Sequence, residues 1–448
     1  MRGQGRNEAA TRTAGHGFRP IGRCSVTCDG LGPASRSSSW ATATWAFRSE
    51  ALRMTASVPP QRVRIESVDL VRGVIMIVMA LDHVRDYLGV RTGDPTDPAT
   101  TTVALFFTRW ITHFCAPTFF LLTGTSARLS LGRKTKRELS RFLWTRGLWL
   151  LVLDTVVVRC LGYQFNFDYH FTLLAVLWAL GWSMLALSAL IRLPPGAIAI
   201  IGGVLVIGHN LLDGVTADTF GVLAPLWSIL HAPGVVIAAP GHVVFGLYSL
   251  IPWIGVTALG WTLGATYAWT AERRQAFLLR MGGALIGAFL VLRASNAYGD
   301  PSHWTTQKTT VFTALSFLNT SKYPPSLLFL LMTLGPMLIF LRAAEAPIAR
   351  WLAPARIIGK VPMFYYLVHF PLIHSIAVIM SALQFGTIHG MLESPDLARY
   401  PATFPPGWGL LLPGMYAAWI GVVIALYPLC RWYEALKQRR RAWWLSYI

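Results

Sequence analysis

The sequence predicts an all-α fold, a polytopic membrane helix bundle of about ten spanning helices with both termini in the cytoplasm. Three observations carry this. Of 448 residues, 54% are hydrophobic and only 13% charged, with a mean hydropathy of +0.48, whereas a soluble globular chain carries about 25% charged residues. Apolar windows, each close to the roughly 20 residues needed to cross a bilayer, recur from residue 68 onward. Basic residues concentrate in every second loop between them, as the positive-inside rule requires of cytoplasmic loops.

The windows lie near 68–89, 103–130, 142–162, 171–191, 196–212, 244–269, 276–294, 324–342, 361–383 and 409–430. The loops GRKTKRELSR (132–141), RLPP (192–195), AERRQ (271–275) and RAAEAPIARWLAPARIIGK (342–360) are basic, as is the tail KQRRR (437–441). The alternate loops are poorer in Lys and Arg and hold most of the loop Asp residues. The net charge of +19 is therefore topological, and no nucleic-acid partner is implied. Segments 213–243 and 295–322 are expected at the outer face as interfacial helices or lids, because irregular chain facing lipid is not tolerated.

Residues 1–57 read differently. They are rich in Arg, Ser, Gly and Thr, lack helical or strand periodicity, and are expected to be a disordered basic extension. No apolar core of a signal peptide lies among them. Met54 opens MTASVPPQRVRIESVDL, which reads as a natural start, so residues 1–53 are either untranslated or a dispensable tail. The five cysteines (Cys24, Cys28, Cys115, Cys160, Cys430) are scattered. Cys24 and Cys28 have no second pair of ligands, so neither a disulfide framework nor a metal is implied.

The first window, SVDLVRGVIMIVMALDHVRDYLG, is the most informative. A charge at mid-bilayer costs about 2.5–3.5 kcal/mol on insertion scales, yet this window holds Asp69, Arg72, Asp82, His83, Arg85 and Asp86. Arg72 and His83 are eleven residues apart, three turns to within about 20°, so they share a face about 16 Å apart along the axis. Asp69 lies three residues before Arg72 and Asp86 three after His83, each on the same face as its neighbour. Asp82 lies about 80° round the helix, which suits a structural or partner-holding role. The competing reading is topogenic: an ion pair at the helix end and a packed histidine.

Later segments add second-rank candidates. In TRWITHFCAPTFFLLTGTSARLS, Arg109 and His113 share a face, and the Thr123–Ser126 run suits close helix packing. FLNTSKYPPSLLFLLMTLGP enters its helix through Pro324 and Pro325. The free N–H groups of that helix start, beside Lys322 and Tyr323, suit an outward-facing anion site or are a plain helix start. GKVPMFYYLVHFPLIH places His369 and His374 around Pro371, either as site residues or as packed histidines at a kink. The phosphate-loop, zincin, dinucleotide-binding and nucleophile-elbow motifs are absent.

RIESVDLVRGVIMIVMALDHVRDY followed by HFCAPTFFLLTGTSARLS resembles the bacterial branch of the heparan-alpha-glucosaminide N-acetyltransferase catalytic-domain family. FLNTSKYPPSLLFLLMTLGP and GKVPMFYYLVHFPLIH are similar to later blocks of that branch, so the resemblance spans about residues 62–431. It implies a transmembrane acyltransferase-like domain over 58–448 in a bacterial inner membrane. Such an enzyme passes an acyl group, acetyl first, from cytoplasmic acyl-CoA to a sugar amine or hydroxyl on the outer side. One branch of the wider superfamily carries Arg, ten residues, then His on the first span, and Arg72–His83 matches that pattern. On this reading Arg72 meets the CoA phosphates, His83 is general base or transient acyl carrier, and Asp86 orients its ring. Asp82, Arg109, His113, Lys322, Tyr323 and His369 serve acceptor binding. Acyl-CoA is the co-substrate, no metal is expected, the partners are membrane lipid and a glycan or lipid-linked sugar, and a homodimer is allowed.

Two departures accompany the resemblance. The lysosomal relative's active histidine precedes the equivalent of HFCAP, and the loop 90–102 here has no His. Arg137 and Arg141 do not match the R-x-x-R motif of some acyltransferases. The acceptor and acyl chain therefore stay open. The rival class is a transporter or flippase for a proton-coupled solute or lipid-linked sugar, which also places Asp, Arg and His within the membrane. A non-catalytic scaffold is the third reading.

Overall fold

The computed structural model describes residues 65–447 apart from 92, 348, 397, 441, 443, 444 and 446. The extension 1–57, the start at Met54 and the Cys24/Cys28 pair lie outside the described residues.

A helix lies over each of the ten apolar windows. They begin with α1 (Glu66–Leu88), α2 (Val103–Gly132), α3 (Lys136–Val152, continued as a π-helix over Leu153–Tyr163), α4 (Val176–Leu190) and α5 (Pro195–Leu212). A short α6 (Ala224–Leu230) precedes α7 (Leu250–Gly264) and α8 (Ala271–Ser295). Then come α9 (Thr310–Leu318), α10 (Leu327–Ala343), α11 (Ala353–Lys360), α12 (Pro362–Phe385) and α13 (Leu412–Arg439). Among the described residues five helices, α2, α5, α8, α12 and α13, are long and apolar enough by length and composition to cross a membrane.

The charged α1 is not among those five, and burial explains how it is accommodated. Fourteen of its 23 residues are buried, packed by α2, α11, α12 and α13. In α8 only 17% of the apolar window is buried inside the protein, against 61% in α2. Apolar α8 can face lipid; polar α1 is screened from it.

Two glycine pairs set the closest crossings. A Cβ on Gly124 would stand 2.0 Å from the Thr257 carbonyl oxygen, and one on Gly260 would stand 2.0 Å from that of Leu121. The small run in α2 is thus a packing surface against α7. Gly73 and Gly359 do the same for α1 and α11, so the basic segment 342–360 is not simply a loop but carries a helix seated on the start of α1.

Among the described residues the architecture departs from all-α in a three-stranded sheet. Strand β1 (Phe171–Leu174) pairs in parallel with β3 (His242–Gly246), which pairs antiparallel with β2 (Gly234–Ala239). The register runs from Phe171 opposite Val243 to Leu174 opposite Gly246. The run 171–174, expected as the start of a span, is a strand, and 213–243 contains a hairpin beside its short helices. Asp154 on the π-helix accepts from the Ala175 backbone N–H at 3.0 Å, fixing where the sheet hands over to α4.

Candidate active site

A cavity of about 230 Å³ opens beside the C-terminal half of α1. Asp82, His83, Arg85 and Asp86 face it from one and a half turns of that helix, and Arg109 and Phe119 from α2. Leu173 of β1 closes another side, together with Leu247 and Tyr248 of the segment that follows β3.

Its charges are arranged in pairs. Arg85 Nη2 lies 3.0 Å from Asp82 Oδ1 and 2.5 Å from Asp86 Oδ1, and Arg109 Nη1 donates to the other Asp82 oxygen. Asp82 is therefore clamped between two guanidinium groups, the partner-holding role its position on the helix suggested. The His83 ring rests 4.1 Å from that of Phe370 and 5.2 Å from that of His369. Its Nδ1 is 3.9 Å from Asp86 Oδ2, beyond hydrogen-bond length. Asp86 is committed to Arg85 instead, because Arg85 is its sequence neighbour and reaches it directly.

Lys322 and Tyr323 enter from the segment before α10. Asp300 fixes that segment, accepting from Ser321 N–H at 2.9 Å and Ser326 Oγ at 2.7 Å. Arg293 holds the carbonyls of Ser302, Ser316, Phe317 and Asn319. The first N–H groups of α10 are used internally: Leu327 donates to Asn210 Oδ1 at 2.8 Å and Phe329 to Ser326 Oγ at 3.0 Å. The helix start is thus a capped one rather than an open anion site.

A second chamber of about 320 Å³ lies beside the N-terminal half of α1 and is lined by Arg72, Arg146, Lys360 and Lys437. Arg72 donates to Ser126 Oγ at 2.8 Å and to the Gly359 carbonyl at 3.2 Å, and pairs with Asp69 at 3.3 Å. Arg72 and His83, expected on one helix face, line separate chambers that lie back to back. Phe119 and Val176 line both and form the partition.

The residues named from sequence thus divide. His83, Asp86, Asp82, Arg109, Lys322 and Tyr323 share the first chamber, and Arg72 lines the second. His113 and His369 line neither. His113 packs 5.4 Å from the Phe329 ring, and His369 Nδ1 donates to the Tyr366 carbonyl at 2.6 Å. His374 bridges the carbonyls of Gly162 and Met391 at 2.9 and 2.7 Å, as a packed histidine does.

Sequence reasoning missed four tyrosines of the first chamber, Tyr87, Tyr163, Tyr248 and Tyr400. Tyr87 Oη donates to the Tyr163 carbonyl at 2.7 Å. Also missed was the clamp of Arg159, which binds Asn166, Asp168 and Ser394. Burial tends to raise the Asp168 carboxyl, but hydrogen bonds from Ser394, the His170 N–H and Arg159 hold it below the usual carboxylate range.

No curated protein matches the chain. The family model described as heparan-alpha-glucosaminide N-acetyltransferase, catalytic, matches residues 64–295, taking in α1, α2, the sheet and both faces of the partition, while the two later blocks of the resemblance lie beyond it. With more than half of its length matched, this chain belongs to that membrane acetyltransferase family.

Proposed function

We propose that this protein is an acyl-CoA-dependent transmembrane acyltransferase that moves an acyl group, acetyl first, to a sugar amine or hydroxyl across a bacterial inner membrane. The observation that carries the reading is the pair of chambers meeting at Phe119 and Val176. The chamber with Arg72, Arg146, Lys360 and Lys437 borders the basic segments 342–360 and 437–441. With ten spans and both termini inside, it faces the cytoplasm. Its four cations suit the phosphates of CoA. The pantetheine arm then runs along α1 toward His83, about 16 Å away for eleven helical residues.

In the first chamber His83 takes the proton from the acceptor amine or hydroxyl as that group attacks the thioester carbonyl. The tetrahedral oxyanion is stabilised by the cations nearby, Lys322 and Arg109, and collapse expels the CoA thiolate, which is reprotonated. The tyrosine-rich wall suits a polyhydroxyl acceptor, offering ring faces and hydroxyls together. Asp86 orients His83 once it moves closer than 3.9 Å. The partition must open for the thioester to pass, through rotation of the Phe119 side chain.

Purified protein given acetyl-CoA without acceptor should release free CoA thiol slowly, water taking the acceptor's place, and His83→Ala should abolish the release. Tight acceptor-free binding with no thiol release from wild-type protein, or release unaffected by His83→Ala, would contradict the proposal and favour the transporter reading.

A further inference from the structure

His209 opens the 3-10 turn His209–Leu212 that ends α5, Asp213 follows that turn, and His231 follows α6. One ligand atom from each lies within 4.8 Å of the others. His231 Nε2 is 3.2 Å from Asp213 Oδ1, and the two imidazole rings are 5.9 Å apart. Both histidines are 2% exposed. Neither ring nitrogen of His209, nor Nδ1 of His231, has a hydrogen-bond partner among the described residues. Leaving a buried polar group unsatisfied costs about 1–3 kcal/mol. Both ring nitrogens of His374 lie against carbonyl oxygens; those of His209 have no such partner among the described residues.

The remaining Asp213 oxygen accepts from Asn210 Nδ2 at 2.7 Å. Asn210 in turn accepts from the Leu327 N–H. A ligating carboxylate is commonly supported by such an outer hydrogen bond.

We propose that His209, Asp213 and His231 form a zinc site, separate from the acyl-transfer chambers, with water completing a tetrahedron. Two neutral imidazoles and one carboxylate suit zinc or a similar first-row divalent ion rather than calcium or magnesium, which prefer all-oxygen shells. Bonds of about 2.0–2.1 Å place tetrahedral ligands about 3.3 Å apart, so binding draws the three groups inward. The ion pins segment 213–231 to the end of α5, just before the hairpin strands β2 and β3. The sequence reading expected no metal and singled out none of these three residues.

The test uses the full chain, stripped with chelator, loaded with zinc sulfate alone, desalted and assayed by mass spectrometry for metal. Wild-type protein should retain about one equivalent, with His209→Ala and the isosteric Asp213→Asn retaining at least tenfold less. Zinc should raise the thermal midpoint of wild type and not of the variants, and cobalt substitution should give visible absorption only in wild type. Substoichiometric zinc in wild type, or equal retention in the variants, overturns the site and leaves a histidine–aspartate contact only. Thiol release from acetyl-CoA reports the acyl-transfer reading separately, so either can fail alone.

Discussion

Asp82 and His83 are sequence neighbours with different surroundings, and the difference assigns their work. Asp82 is held by Arg85 and Arg109, so it neutralises two guanidinium groups that would otherwise face one another. Asp82→Asn leaves those cations buried with half their partner gone. Breaking such a pair costs about 3–5 kcal/mol, and the thermal midpoint should fall steeply, whereas His83→Ala should leave it nearly unchanged. Equal midpoints for Asp82→Asn and wild type would mean the clamp is not structural. His83 was legible in the sequence because a titratable residue in an apolar run stands out against its cost. The tyrosines were not, because Tyr87, Tyr163, Tyr248 and Tyr400 come from four separate segments of an aromatic-rich chain. Lys360 and Lys437 were visible only as topogenic charge, and Arg146, inside the window 142–162, was not singled out.

At the scale of elements, helix positions followed from apolar length, and their departures have physical causes. A four-residue apolar strand such as Phe171–Leu174 cannot be told from helix by periodicity; its partner β3, about 70 residues later, decides the matter. The small run in α2 was read as packing, and the contact of Gly124 with Thr257 agrees. Gly124→Val should therefore abolish folding or insertion, measured as loss of monodisperse protein. Phe119 is the more informative position, because it borders both chambers. Phe119→Ala should widen the passage, raising acceptor-free hydrolysis of acetyl-CoA relative to transfer by several-fold, while Phe119→Trp should slow both. A Phe119→Ala protein with an unchanged ratio would show that the partition lies elsewhere.

Across the whole molecule, one polar helix, α1, borders both the basic chamber and the chamber of His83, and its neighbours bury fourteen of its 23 residues. Orientation decides which chamber meets CoA. A reporter fused after Ile448 should be active only in its cytoplasm-requiring form, and periplasmic activity there would invert the assignment of donor and acceptor sides. Under the proposed function Arg72 binds the donor and His83 transfers the acyl group, and steady-state and binding measurements with acetyl-CoA separate the two roles. Arg72→Ala removes a charge-assisted phosphate contact of about 1.5–3 kcal/mol, so it should weaken acetyl-CoA binding roughly tenfold or more with kcat largely kept. His83→Ala should bind acetyl-CoA as wild type does and turn over none of it. If both variants instead lose binding alike, or His83→Ala retains turnover, the two chambers do not divide donor binding from acyl transfer.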